Sequence, residues 1–277
     1  MPEGHVIHRL AAGLTQRFAR QAVRVTSPQG RFAAAAGLID GKVLTGAEAV
    51  GKQLLIDFEN DRTIWIHLGL IGRLSFGPAG QPASPQTLRL RIASGHAVAD
   101  LRGPQWCRLI EAAERAQVMA RSGPDPLRAD ASPEIAWQRI ARTGRPLAAL
   151  LMDQACFAGV GNIFRAEVLF RHRIDPLLPA RELPRAVFES VWVDLVALMR
   201  QAVDRGRIDT VVAAHTPEAM GRAPRADAHG GEVYVYRRGG LPCLVCGTEV
   251  QQADLAGRNL FWCPACQPPG STGIVRC

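Results

Sequence analysis

The stretch Cys243-Leu-Val-Cys246-Gly-Thr-Glu-Val-Gln-Gln-Ala-Asp-Leu-Ala-Gly-Arg-Asn-Leu-Phe-Trp-Cys263-Pro-Ala-Cys266 sets two Cys-x-x-Cys knuckles sixteen residues apart. Each knuckle places two thiolates on one side of a tight turn, and a spacer of this length forms a hairpin between them, as a tetrahedral four-cysteine zinc site requires. Gly247 and Pro264 suit the turns. Four thiolates leave no open coordination position, so the pattern implies one structural Zn2+ holding a segment too small to fold alone. Four buried or redox-active cysteines are the alternative. Cys107, Cys156 and Cys277 stand apart, so no disulfide framework is expected. Arg258 lies near the hairpin tip, five residues before Cys263.

Upstream of the cysteine unit, residues 206–231 are rich in Gly, Pro, Arg and His and read as mobile. Before them, Pro133–Arg142, Pro146–Gln154, Asn162–Arg171 and Arg185–Arg205 read as helices, with Pro133 and Pro146 at first-turn positions. Ser122-Gly-Pro-Asp-Pro126 reads as a linker. The front of the chain differs. Glu3–Arg20 repeats apolar residues at spacings of three and four, which predicts an amphipathic helix. Strand-like stretches follow at Val23–Thr26, Gln53–Phe58, Thr63–Phe76 and Leu88–Leu101. One helix and a run of strands predict a β-sandwich or barrel with a helix laid on it. The segments expected are 1–125, 126–232 and 233–277.

The 277 residues include enough apolar material, 47%, for true cores and exclude bulk disorder. No apolar run reaches membrane-spanning length and no secretory signal is visible, so a cytoplasmic protein is expected. The net charge of +8 is compatible with a nucleic-acid partner. Among the 33 basic residues, Lys42 and Lys52 are the two lysines, which limits the side-chain amines available to chemistry.

Removal of Met1 would leave Pro2 with a free secondary amine beside Glu3. An α-amino group has a pKa of about 7.7–8.0, against about 10.4 for lysine, so near neutrality it is the readier nucleophile. Glu3 could act as acid or base in such a step; favourable placement at a helix N-terminus is its alternative reading. Phe157-Ala-Gly-Val-Gly-Asn162, between two helices, could bring backbone N–H groups and Asn162 to a phosphate, or be a plain turn. Lys52 in Val50-Gly-Lys-Gln-Leu54 is either a phosphate contact or a solvated turn residue. Leu70 in His67-Leu-Gly-Leu-Ile-Gly72 is either an apolar wedge for a base stack or strand core.

Pro2-Glu3-Gly4, Gly51-Lys52, His67-Leu68-Gly69-Leu70, Asp153-Gln154 with Ala158-Gly-Val-Gly-Asn162, and the four-cysteine tail with Arg258 form an ordered set. This set resembles the formamidopyrimidine-DNA glycosylase/endonuclease VIII family, most of all its bacterial, actinobacterial-type endonuclease VIII branch, over nearly the whole chain. The resemblance implies an α+β multidomain fold: an N-terminal helix plus β-sandwich, a helix–two-turn–helix domain and a C-terminal four-cysteine zinc finger. Damaged double-stranded DNA would lie between the lobes of a monomer associated with the nucleoid. The implied catalytic set is Pro2, Glu3 and Lys52; His67, Asn162 and Arg258 would grip the backbone around a flipped nucleotide, and Leu70 would fill the vacated stack. Cys243, Cys246, Cys263 and Cys266 would bind the zinc, with no catalytic cofactor.

Within the family, the oxidised-purine branch carries an Arg-Phe pair after Asp-x-Arg, whereas this chain has Asp100-Leu-Arg-Gly-Pro104. That favours oxidised pyrimidines, with β- and δ-elimination following base removal. An oxidised-purine glycosylase, a non-catalytic DNA-binding member of the fold, and a zinc-ribbon protein with an unrelated front half are the alternatives. Position 5 is His5 where many members have proline, and Gly69 and Ile71 flank Leu70 where some endonuclease VIII members carry Gln and Tyr.

Overall fold

The computed structural model describes residues 2–82, 84–227 and 230–273; Cys277 lies outside the described residues. The chain divides into two compact units, 1–122 and 123–277.

In the first unit, α1 (Gly4–Phe18) is followed by β1 (Gln21–Ala22), β2 (Arg24–Thr26), α2 (Ala33–Ile39) and β3 (Val43–Val50). Next come β4 (Gln53–Phe58), β5 (Arg62–His67), β6 (Arg73–Pro78), β7 (Leu88–Ala93), β8 (Ala97–Arg102), β9 (Trp106–Glu111) and α3 (Ala112–Arg121). Two antiparallel sheets form, ordered β1-β3-β4-β5-β9 and β2-β7-β8-β6. Their inner faces and the apolar stripe of α1 (Ile7, Ala11, Leu14, Phe18) make one core. Strand β4 shows why the sheet tolerates three consecutive buried apolar residues. Leu54 and Ile56 face the sandwich core, while Leu55 joins Val50, Ile110 and Val118 of a second core reached by α3. Successive side chains alternate faces, so both sides of this strand are covered.

Two expected strands are each two strands: β5 and β6 pass from one sheet to the other, whereas β7 and β8 pair as a hairpin. Thr63–Phe76 turns at residues 68–72, and Leu88–Leu101 turns at 94–96. The 68–72 turn, Leu-Gly-Leu-Ile-Gly, is apolar or small, so the strand pattern continues across it. The sequence reading also missed α2, β3, β9 and α3.

The second unit contains α4 (Pro133–Ile140), α5 (Leu147–Leu151), α6 (Asn162–Arg171), α7 (Arg185–Arg205), α8 (Pro217–Met220) and the hairpin β10 (Gln251–Leu255) and β11 (Arg258–Trp262). A single core runs from Phe157, Phe164, Phe188 and Trp192 to Cys243 and Cys263 of the hairpin segment. The expected linker at 122–126 is packed from Gly123 to Pro126: Gly123 N donates to Gln154 O and Ala158 N to Pro124 O. The expectation of mobility at 206–231 also fails for its described part. Thr210 is buried, Arg222 pairs with Glu232, and Arg225 pairs with Asp227.

Gln267 and Glu167 organise this unit. The Gln267 amide donates to Ile174 O and accepts from Cys263 N, tying the knuckle to the end of α6. The fully buried Glu167 carboxylate accepts from the backbone N–H groups of Tyr234, Val235 and Tyr236 and from the Thr210 hydroxyl. Buried charge is tolerated when its acceptor sites are filled in this way.

Candidate functional site

The N-terminal end of α1 holds Pro2, half-buried, and Glu3, only 3% exposed. Glu3 is the N-cap residue, with extended backbone and no side-chain capping bond. His5 is buried behind it; burial first, then the charges of Arg9 and His8, push its pKa down to about 4. Arg20 N donates to Leu44 O, and Thr15 Oγ1 bonds both to the Ala47 carbonyl and to its N–H. The helix therefore runs antiparallel to β3, and its Pro2-Glu3 end points to the sheet end that carries Gly51-Lys52.

His67 lies at that same end. Gln53, the residue after Lys52, is its partner across β4–β5, and Trp106 its partner across β5–β9. Trp106 also stacks on the His67 ring, with centroids 4.5 Å apart. Gly69 N donates to His67 Nδ1 over 3.2 Å, which leaves Nε2 as the ring's other hydrogen-bonding atom. Burial lowers the His67 pKa, the Gln105 side chain opposes that shift, and the Lys52 charge adds to it. Lys52 and His67 are thus electrostatically coupled.

The turn after His67 is fixed by its glycines. Gly69 has φ +69°, and a Cβ on Gly72 would lie 2.1 Å from Leu68 O. Between them Leu70 and Ile71 are 66% and 85% exposed. The strand-core reading of Leu70 does not hold: it sits on a turn tip with an apolar neighbour, a form suited to wedging between bases. Beyond the turn, the Asp100 carboxylate is held by both Arg91 and Arg102.

In the second unit, Gln154 shapes the turn before α6. Its amide donates to Val160 O and accepts from Gly159 N. Asn162 then opens α6, and its side-chain amide donates to Asn259 O over 3.0 Å. Buried Arg165 donates to the same carbonyl and to Asn162 Oδ1. Asn162 is thereby joined to the residue next to Arg258, which is exposed at the start of β11. Ala256 and Gly257, both with positive φ, make the tight turn that presents it. Nothing in the sequence signals the Asn162–Asn259 link, which spans 97 residues, nor the roles of Arg165 and Glu167.

The four Sγ atoms of Cys243, Cys246, Cys263 and Cys266 lie within 4.8 Å of one another. A tetrahedral zinc with Zn–S bonds of about 2.3 Å needs sulfur separations of about 3.8 Å. Cys246–Cys263 at 3.5 Å and Cys243–Cys266 at 4.0 Å bracket that value. The donor set fits zinc and leaves it coordinatively closed, so the metal here is structural.

Family models match all three segments. The formamidopyrimidine-DNA glycosylase N-terminal domain covers residues 1–105, the helix–two-turn–helix domain of the same glycosylase covers 122–213, and a zinc finger found in FPG and IleRS covers 240–269. The chain is 46% identical to Endonuclease 8 1 of Mycobacterium bovis, over 96% of this chain and all of that one. It is 32% identical to the formamidopyrimidine-DNA glycosylase of Parasynechococcus marenigrum, over 96% of this chain and all of that one. In fold it resembles the Lactococcus lactis Fpg crystallised with abasic-site DNA, at a TM-score of 0.76 and 20% identity, covering 96% and 99% of the two chains. The chain belongs to the formamidopyrimidine-DNA glycosylase/endonuclease VIII family.

Proposed function

We propose that this DNA glycosylase of base-excision repair is bifunctional, removing oxidised bases, pyrimidines foremost, and then cleaving the abasic strand. The observation that carries the reading is the Pro2–Glu3 pair: a partly exposed proline followed by a carboxyl withdrawn from water, at the sheet end that also holds Lys52 and His67. With Met1 removed, the Pro2 amine attacks C1′ of the damaged nucleotide as the base leaves with the glycosidic electron pair and takes a proton from water. Loss of the amine proton, with opening of the sugar ring at O4′, gives an iminium at C1′. Glu3 is suited to pass the proton to O4′. The iminium acidifies C2′, so β-elimination breaks C3′–O3′; δ-elimination then breaks C5′–O5′ and leaves a one-nucleotide gap. Lys52, His67, Asn162 and Arg258 hold phosphates, and Leu70 occupies the stack left by the flipped base. Flipping costs a few kcal/mol, and less for a damaged base.

The pyrimidine preference rests on the 100–104 loop. It lacks an Arg-Phe pair, and its Arg102 is engaged with Asp100. The test of the chemistry is borohydride trapping on an abasic duplex. Retained methionine should abolish the adduct, and Lys52→Ala should keep it; the reverse pattern would move the nucleophile to Lys52. Duplexes carrying thymine glycol or 8-oxoguanine then decide the branch, with faster release of the purine overturning the preference stated here.

A further inference from the structure

A cavity of about 500 Å3 opens in the second unit between the segment 220–227 and the segment 237–244. Arg222, Arg225, Arg237 and Arg238 all line it, and Met220 and Leu241 form an apolar part of its wall. Four guanidinium groups this close need compensation, and among the described residues two carboxylates supply it. Glu232 accepts from Arg222 Nη2 and from the Arg225 backbone N–H. Asp227 accepts from Arg225 over 2.8 Å and is 3.5 Å from Arg237. Charge on the cavity wall therefore remains positive by about two. The Arg238 pKa is lowered, first by its burial and then by the charge of Arg222, against the opposing charge of Glu167.

The four arginines divide into two kinds. Arg225 is a strut: its side chain is 8% exposed, and it bonds Gly231 O and Tyr236 O besides Asp227. Arg237 is the opposite, 45% exposed, with its guanidinium 5.7 Å from the centroid of the Tyr236 ring and, among the described residues, only the long contact to Asp227. Arg222 and Arg238 fall between, each held by one or more backbone carbonyls and each with an Nε–H that no described residue accepts. Those two Nε–H groups are buried, whereas the exposed Arg237 guanidinium brings its charge to the cavity. A planar guanidinium fork matches phosphate oxygens bidentately.

We propose that Arg222, Arg237 and Arg238, braced by Arg225, form a phosphate-binding pocket that receives a phosphodiester of the DNA strand. It is separate from the contacts assigned to Lys52, His67, Asn162 and Arg258, and it rests on the DNA-binding part of the function proposed above. Its role is to extend the footprint beyond the extruded nucleotide. Loss of the pocket weakens damaged and undamaged duplexes alike, because a phosphate contact does not read the base.

The test uses the full-length zinc-loaded protein and a duplex with a tetrahydrofuran abasic analogue, titrated between 50 and 200 mM salt. The double variant Arg237→Ala, Arg238→Gln is compared with wild type and with Arg200→Ala, an exposed arginine of α7. Two lost phosphate contacts reduce the log–log salt slope by about 1.8, and the loss of affinity across that salt range becomes about tenfold smaller. A slope equal to that of Arg200→Ala overturns the proposal. Zinc content and melting temperature identify a misfolded variant; if the double variant misfolds, Arg237→Glu alone, at the exposed position, replaces it and must weaken binding. Inorganic phosphate titrated against the free protein separates the sources. Phosphate binding lost in the variant with an unchanged DNA slope would make this a small-anion pocket and overturn the DNA assignment. If wild type binds DNA with the expected slope but gives no borohydride adduct, the catalytic reading fails while this one stands.

Discussion

The two units position functional side chains by different physical means. In the first, strand register and a glycine turn do the work: Lys52 is set by the β3–β4 hairpin, His67 by the register of β5 between β4 and β9, and Leu70 by the glycine turn that follows β5. In the second, placement depends on long-range polar ties. Asn162 reaches Asn259, Gln267 reaches Ile174, and Glu167 gathers the backbone of 234–236. A register-built site tolerates the loss of one contact because the ladder remains. A site built from long-range ties loses its geometry when a tie with no second support is cut.

The largest expected break is in the second unit. Structural zinc in small domains contributes an apparent 10–16 kcal/mol near pH 7, so chelation or Cys263→Ser should melt β10 and β11. The five tryptophans allow a direct reading, with Trp65 and Trp106 in the first unit and Trp137, Trp192 and Trp262 in the second. The Trp262 environment should be lost while the first unit keeps its native signal. Elemental analysis should give one zinc per wild-type chain and none in the variant; a hairpin that survives without zinc would refute the structural role.

Glu167→Gln comes next. The amide retains one acceptor oxygen but turns an NH2 group toward backbone donors that a carboxylate had satisfied. Leaving such groups buried and unmatched costs about 3 kcal/mol. Denaturant unfolding followed through Trp137 and Trp192 should show that loss, with little change at Trp65 and Trp106. An equal loss in both units would erase the contrast between them.

These two sensitivities mark where the sequence is legible. Helices α6 and α7 and strand β4 follow from apolar periodicity, and their ends agree with the pattern. The zinc ligands follow from spacing, because a knuckle is local. The ordered motifs name the family, and with it candidate positions for Pro2, Glu3 and Arg258. Glu167 is invisible: a glutamate inside an amphipathic helix looks like a solvated face, and its partners come more than forty residues later. The turn at 68–72 is hidden for the opposite reason, since its apolar residues imitate strand. Helix α2, Ala33–Ile39, is short and mostly alanine and glycine, so it has no periodic signal to read.

A test by pH addresses the first unit. The unfolded chain protonates His5 near 6.5, but the folded chain holds its pKa down to about 4. Between those values the unfolded state binds more protons, so stability is complete above pH 6.5 and falls as the pH drops toward 4. At pH 5 the loss is about 2 kcal/mol. Urea unfolding at pH 7 and pH 5, read at Trp65 and Trp106, should show this in wild type and not in His5→Phe. A wild-type protein equally stable at both values would mean that His5 accepts its proton in place.

The smallest expected effect on stability is at Arg258, where function should change most selectively. The side chain is exposed beside a two-residue turn, and surface substitutions of this kind usually stay within about 0.5 kcal/mol. Its neighbour Asn259 is nevertheless fixed through its carbonyl by Asn162 and Arg165, so the backbone beneath the guanidinium is held even though the side chain is free to meet a phosphate. If Arg258 steadies the extruded nucleotide, Arg258→Ala should slow release of thymine glycol far more than cleavage at a preformed abasic site, where no base has to leave the stack. The salt slope should fall by about 0.9, one contact. Zinc content should not change. Asn162→Ala then sharpens the comparison. Arg165 still holds the Asn259 carbonyl in that variant, so a shared role predicts the same selective defect with Arg258 left in its place. Normal rates for both variants on both substrates would reduce the Asn162–Asn259 tie to a packing contact and return Arg258 to the solvated surface.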